Sequence, residues 1–157
     1  MVRLADLPEW EQQHLLGKIP TLPKFATRPW ARGGPLAQRR VALVTTAGLH
    51  LRTDRAFTTE SQNEYRVIPG DVHARDLVMS QFSVNFDRSG FQRDVNVVFP
   101  IDRIKELAEQ GVIGSAADFH YSFMGAGSVV TRYEPKAREL AGLLKKDAVD
   151  AVLLTPV

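Results

Sequence analysis

The chain has 157 residues, 44% hydrophobic and 24% charged, which suits one globular domain able to bury its own core and requires no second. It contains no cysteine, which excludes disulfides, thiolate metal sites and a cysteine nucleophile within it. No stretch approaches the roughly 20 apolar residues that span a bilayer and no signal-peptide core follows Met1, so no membrane role is expected and the cytoplasm is the default location. The formal charge of +2 conceals an asymmetry: residues 1–40 hold seven Lys/Arg against three Asp/Glu, net +4, leaving 13 against 15, net −2, for residues 41–157. The basic charges are scattered singly among five prolines, without the clustering of a phosphate-binding arm, so nucleic acid is not the expected partner.

Residues 1–39 read as a basic, Pro-rich arm with one short helix over 7–17. Asp6 is placed to cap that helix, Pro8 falls in its first turn and Gly17 can close it. Pro20, Pro23, Pro29 and Pro35 oppose regular structure up to about residue 38, and Trp10, Phe25 and Trp30 are the arm's packing residues. Residues 40–157 form the compact part. It opens with the apolar run Val41-Ala42-Leu43-Val44-Thr45-Thr46, a strand of the kind buried on both faces of a parallel sheet. Tyr65-Arg66-Val67-Ile68 is a second strand, closed by the turn Pro69-Gly70-Asp71. Val95-Asn96-Val97-Val98-Phe99 is a third, leading through Pro100 into a helix with Asp102 as N-cap, apolar positions 101, 104, 107 and 108, and Gly111 beyond its end. A further amphipathic helix starts at Glu134-Pro135 with a stripe of Ala137, Leu140, Ala141 and Leu144. It turns at Ala148-Val149-Asp150 into a terminal strand expected in the interior, parallel to residues 41–46. Alternating strands and helices predict an α/β fold with three layers and a mostly parallel sheet, Rossmann-like or flavodoxin-like. Such sheets place their chemistry beyond the carboxyl ends of the strands, and if residues 151–154 form an exposed edge or a helix, reading the ending as an approach to an active site is wrong.

The candidate functional residues cluster in two places. Asp87, Arg88 and Asp94 stand in the polar stretch 85–94, where Arg offers a bidentate fork for a carboxylate, although these charges can equally cancel one another. Thr45 and Thr46 lie at the carboxyl end of the first strand. His120 sits in an aromatic segment that would desolvate it and tune its pKa, or hold it as a structural histidine. The four histidines show no metal-ligand spacing, so no metal is expected. Gly125-Ala126-Gly127-Ser128 lacks the third glycine of a phosphate-binding fingerprint and reads as a plain loop.

Four blocks, Tyr65-Arg66-Val67-Ile68-Pro69-Gly70-Asp71, Asp94-Val95-Asn96-Val97-Val98-Phe99-Pro100-Ile101-Asp102-Arg103, His120-Tyr121-Ser122-Phe123-Met124-Gly125 and Asp147-Ala148-Val149-Asp150-Ala151-Val152-Leu153-Leu154-Thr155-Pro156-Val157, resemble the selenoprotein B family in order and spacing. That family comprises substrate-specific components of glycine, sarcosine, betaine and D-proline reductases. The resemblance implies reductive C–N cleavage of a small amino-acid-like substrate, with Asp87, Arg88, Asp94, His120, Thr45 and Thr46 as substrate-binding candidates. It implies a selenocysteine, sometimes a cysteine, directly after Val157 and a second cysteine a few residues later. Since UGA encodes selenocysteine, an ordinary reading of such a gene would stop at Val157. The resemblance further implies other reductase subunits or a second copy as partners, and in some systems a pyruvoyl group on a separate subunit. The segment Ser80-Gln81-Phe82-Ser83 departs from the family in lacking a histidine ahead of Asp87. No cofactor or catalytic residue is expected within these 157 residues themselves. The rival expectation is a non-catalytic binding or scaffold subunit complete at 157 residues.

Overall fold

The computed structural model describes residues 3–24, 31–83, 86–126 and 129–157. The chain divides into two units after Ala31. In the first, helix α1 spans Glu9–Lys18 and runs straight through Gly17 into a 3-10 turn at Ile19–Thr21. Asp6 does not cap it: its carboxylate accepts from the Arg3 backbone N–H at 3.0 Å. Trp10 is 72% exposed, contrary to the packing role expected of it, while Phe25 and Trp30 lie outside the described residues.

The second unit is an α/β domain. Its strands are β1 (Arg40–Thr45), β2 (Leu49–Leu51), β3 (Tyr65–Pro69), β4 (Leu77–Met79), β5 (Ser115–Ala116), β6 (Phe119–Phe123) and β7 (Ala151–Thr155). Its helices are α2 (Ser89–Arg93), α3 (Ile101–Glu109) and α4 (Glu134–Lys146). β1 is the axis of the sheet, pairing in parallel with β7 on one side and with β5 and then β6 on the other. β3 closes the far side antiparallel to β6, and β2 and β4 form a separate antiparallel pair. The sheet is therefore mostly parallel, with α3 and α4 on opposite faces. Val41, Leu43, Leu49, Ile68, Val98, Phe99, Ile101 and Ile104 make the core on the α3 side, and Tyr121, Phe123 and Leu140 the smaller core on the α4 side.

Four expectations need correcting. Asp102 does not cap α3: the N-cap is Pro100, and Asp102 lies inside the first turn, where its carboxylate accepts from the Asn96 amide at 2.9 Å. Residues 95–99 are not a strand: Val95–Val97 is a 3-10 turn whose first N–H groups are captured by Asp94, and it buries Val95, Val98 and Phe99 while Val97 is 66% exposed. Helix α4 packs Leu140, Leu143 and Leu144 into the core, while Ala137 and Ala141, expected on the same stripe, are exposed. Finally, β7 pairs with β1 along its whole length, from Val41 opposite Ala151 to Thr45 opposite Thr155, yet it is an edge strand. Val152, Leu153 and Leu154 are 40%, 42% and 67% exposed because, among the described residues, no strand pairs with its outer side. By the criterion set above, that exposed edge overturns the reading of the ending as an active-site approach in so far as it rested on a buried interior strand. Strand direction remains, since β7 delivers its carboxyl end beside that of β1.

An electrostatic staple closes the opposite, amino end of the sheet. The Arg40 guanidinium pairs with Asp147, at the end of α4, and with Asp118 at 2.9 Å. Asp147 also accepts from the backbone N–H groups of Asp118 and Phe119, at 2.9 and 3.1 Å. Burial works against the Asp147 carboxylate, but the Arg40 hydrogen bond and the two N–H donors outweigh it and hold its pKa below the usual value. Its contribution is thus complete above about pH 5 and is lost as pH falls through the depressed native value. Asp147→Ala leaves Arg40 half-buried without its main partner and should cost about 3 kcal/mol in urea unfolding at pH 7. The deficit relative to the parent should shrink as the pH is lowered below 4.

Candidate functional site

The carboxyl ends of β1, β6 and β7 come out at the same end of the sheet, and a cleft of about 200 Å³ opens there, lined by Gln81, Ser83, Phe86, Gly125, Ala126 and Val157. Larger clefts exist, including one of about 420 Å³ lined by Phe119, Leu143, Lys146 and Asp147, but that one lies at the amino end of β6 and uses an aspartate already committed to Arg40. Open parallel sheets bind at their carboxyl ends, so the smaller cleft is the candidate.

One buried amide assembles it. Gln81, 4% exposed, follows β4 and donates through Nε2 to the carbonyl of Thr46 at 3.0 Å and of Met124 at 2.6 Å. Its Oε1 accepts from the Ser83 N–H at 3.2 Å. The loops leaving β1 and β6 are thereby tied to each other and to the cleft wall. Two glycines permit the approach. A Cβ at Gly48, where φ is +66°, would meet the Gln81 nitrogen at 2.9 Å; one at Gly125, where φ is +77°, would meet the Thr46 carbonyl oxygen at 2.5 Å. Thr46 then reaches β7, its Oγ1 accepting from the Val157 N–H at 2.8 Å. None of these contacts is carried by a motif, and Gln81 stands beside Ser80 and close to Ser83, so nothing but its polarity marks it in the sequence.

The candidates from sequence fall into different places. Thr46 and Arg88 adjoin the cleft; Arg88 donates from Nη2 to the carbonyls of Gln81 and Ser83. Thr45 is fully buried, donating to the Val98 carbonyl at 2.8 Å and accepting from the Ala47 N–H at 3.1 Å, so it joins the 95–97 turn to the sheet. Asp87 accepts from the Ser89 N–H and hydroxyl, and Asp94 from the Asn96 N–H and amide. These bonds lower both carboxyl pKa values, the backbone donor being the main cause in each. Among the described residues no three His, Asp or Glu side chains converge to hold a metal.

His120 is 0% exposed in the α3-side core. Two extra residues separate β5 from β6 along β1, and in that gap the Leu43 N–H donates to His120 Nδ1 at 3.0 Å instead of to a strand carbonyl. The proton of the neutral ring is thus on Nε2, which has no acceptor. Burial, assisted by the charge of Lys105, lowers the pKa from 6.5 to about 4.

Residues 21–157 match the family model described as glycine/sarcosine/betaine reductase selenoprotein B. The chain belongs to that family. It is 39% identical over 121 residues to D-proline reductase subunit gamma of Acetoanaerobium sticklandii, covering 76% of this chain and 49% of that protein. It is 32% identical over 125 residues to glycine reductase complex component B subunit gamma of Symbiobacterium thermophilum, covering 76% of this chain and 29% of that protein. Betaine reductase complex component B subunit beta of Peptoclostridium acidaminophilum is 27% identical over 124 residues, covering 76% and 28%. The chain therefore spans half or less of the length of these relatives. No solved structure matches it. Among the described residues no helix is long and apolar enough to cross a membrane.

Two measurements check the site's construction. Gln81→Leu leaves two carbonyls of the strand-end loops without their donor and should destabilise by about 2 kcal/mol, with amide shift changes concentrated at Thr46, Ser83 and Gly125. For His120, the unfolded chain binds a proton between pH 6.5 and about 4 while the native chain does not. Stability should fall across that window as pH drops, by up to about 1.4 kcal/mol per pH unit, and His120→Gln should flatten the slope.

Proposed function

We propose that the chain supplies part of the substrate-specific component of a reductase complex that cleaves the C–N bond of a small amino-acid-like compound such as D-proline, glycine, sarcosine or betaine. Membership of the selenoprotein B family supports this reading, and one geometric observation carries it: the last residue of β7's extension, Val157, lines a cleft onto which β1 and β6 also open. A residue following Val157 would stand at that cleft. We place there the selenol or thiol that the family resemblance implies, the group that supplies the nucleophile and takes the oxidation in such chemistry. The residues present suit it. Gly125 keeps the entrance free of a side chain, the polar side chains lining it among the described residues are Gln81 and Ser83, and about 200 Å³ accommodates a ligand of few heavy atoms. Gln81 and Thr46 would fix the strand ends around the reacting centre.

In this reading the partners are other subunits of the reductase, one of them carrying a pyruvoyl group where the amine is activated as a Schiff base, and a second copy of the chain. The exposed, uncharged β7 edge is the surface such association would cover. A non-catalytic scaffold is the competing reading.

The decisive experiment begins at the nucleotide sequence after codon 157. TGA followed by an open frame with a nearby Cys codon supports the reductase reading; TAA or TAG supports the scaffold. With the frame extended through Sec or Cys, the protein should gain a group alkylated by iodoacetamide at pH 7, faster than an ordinary thiol of pKa near 8.5. The 157-residue chain should neither be alkylated at a thiol nor reduce any of the four substrates with a dithiol donor. An unreactive extension, or turnover by the 157-residue chain alone, refutes the mechanism.

A further inference from the structure

We propose that Arg88 is the carboxylate anchor of the carboxyl-end cleft, which binds a small α-amino carboxylate by its carboxylate end and makes no ion pair to its nitrogen. The proposal rests on the functional reading above and adds the group that recognises the substrate. The stretch 85–94 brings two aspartates and two arginines together in sequence, and an internal cancellation of charge would leave nothing for a ligand. The structure separates them. Asp87, next to Arg88, spends both oxygens on Ser89, through its N–H at 2.8 Å and its hydroxyl at 2.9 Å. Asp94 spends Oδ1 on Asn96. Among the described residues neither Arg88 nor Arg93 of this stretch has a carboxylate within ion-pair reach, and of the two it is Arg88 whose guanidinium donates to residues that line the cleft.

The Arg88 guanidinium is nevertheless held in place. Nη2 donates to the carbonyl oxygens of Gln81 and Ser83, and both residues line the cleft. Gln81 is itself locked to the ends of β1 and β6, so the cation is referenced to the same frame as Val157. A planar cation oriented by backbone carbonyls, at the rim of a cleft whose lining side chains are uncharged, is suited to a carboxylate. The lining offers no aspartate or glutamate to an ammonium group. Recognition would therefore ignore whether the nitrogen is primary, secondary or quaternary, leaving that choice to cleft size and to whatever activates the amine.

The test is direct binding to the 157-residue chain with its terminal carboxylate amidated, so that Val157 brings no anion to the cleft, followed by amide shift titration with D-proline, betaine and the uncharged-end analogue D-prolinamide. Both carboxylates should bind with shifts at Gln81, Ser83 and Ala126, and D-prolinamide should bind at least about tenfold more weakly. Arg88→Gln should weaken the carboxylates by about tenfold or more and leave D-prolinamide unaffected, and Arg88→Lys should recover part of the loss through its charge. Ala126→Phe, which fills the cleft without touching the charge, should abolish binding. Arg88 is exposed, so its variants are expected to keep the parental spectrum. Equal binding by parent and Arg88→Gln, equal binding of acid and amide, persistence of binding in Ala126→Phe, or no binding of either carboxylate to the parent overturns the proposal. None of these outcomes depends on the nucleophile, so alkylation of the extended protein can succeed while this anchor fails, and in an active complex a true anchor raises KM far more than it lowers kcat.

Discussion

A single side-chain amide crosses the carboxyl end of the sheet. Parallel pairing aligns the strand directions of β1, β6 and β7, but alignment alone would leave the departing loops free to splay, each carrying backbone groups with no ladder partner. Gln81 takes two of those carbonyls, on Thr46 and Met124, and returns its own oxygen to Ser83. Its burial would be costly if any of these bonds failed, because an amide removed from water must find partners. The cleft depends on the same three bonds, since Gln81, Ser83 and Gly125 are its walls.

The two ends of the sheet are built on different physics. At the amino end, Arg40 is surrounded by Asp147 and Asp118, and Asp147 also holds two backbone donors, so charge there is consumed internally. At the carboxyl end the bonds are neutral amide and hydroxyl contacts, and the nearby cation Arg88 rests on carbonyl dipoles without a counter-ion among the described residues. Neutral scaffolding leaves the local charge available to a ligand. A sheet closed by ion pairs at one end and by amides at the other therefore has an inert end and a receptive one.

Much of this architecture was legible because it follows from burial patterns. β1 is apolar on both faces and occupies the centre; β3 ends at a Pro-Gly-Asp turn; α3 and α4 carry their apolar stripes and β7 follows α4. The errors have physical causes. Residues 95–99 have the composition of a strand, but Asp94 captures the Asn96 N–H and Asn96 bridges to Asp102, which winds the segment into a turn that still buries its valines. β6 carries a strand's alternation, Phe119, Tyr121 and Phe123 against His120 and Ser122, but its polar residues are buried rather than turned to solvent, so the alternation does not mark a half-exposed strand. β7 has the composition of an interior strand and an edge position, a mismatch that composition cannot reveal.

The site was less legible than the fold, and the reason lies in what its residues are bonded to. Asp87, Arg88 and Asp94 look equivalent in sequence, yet the first and last are absorbed by turns two residues away while Arg88 reaches back across seven positions to a carbonyl. His120 has the composition of a catalytic group, but its lone pair satisfies the Leu43 N–H that a two-residue slip in the β5–β6 ladder leaves without a strand partner. Gln81 gives no sequence signal beyond its polarity, since its role depends on loops more than thirty positions away in either direction. Chemistry-bearing residue types are thus poor guides by themselves in this chain. What discriminates among them is whether a charge-compensating or turn partner has already been met, and by that criterion the charged side chain at the carboxyl-end cleft without a counter-ion among the described residues is the Arg88 guanidinium.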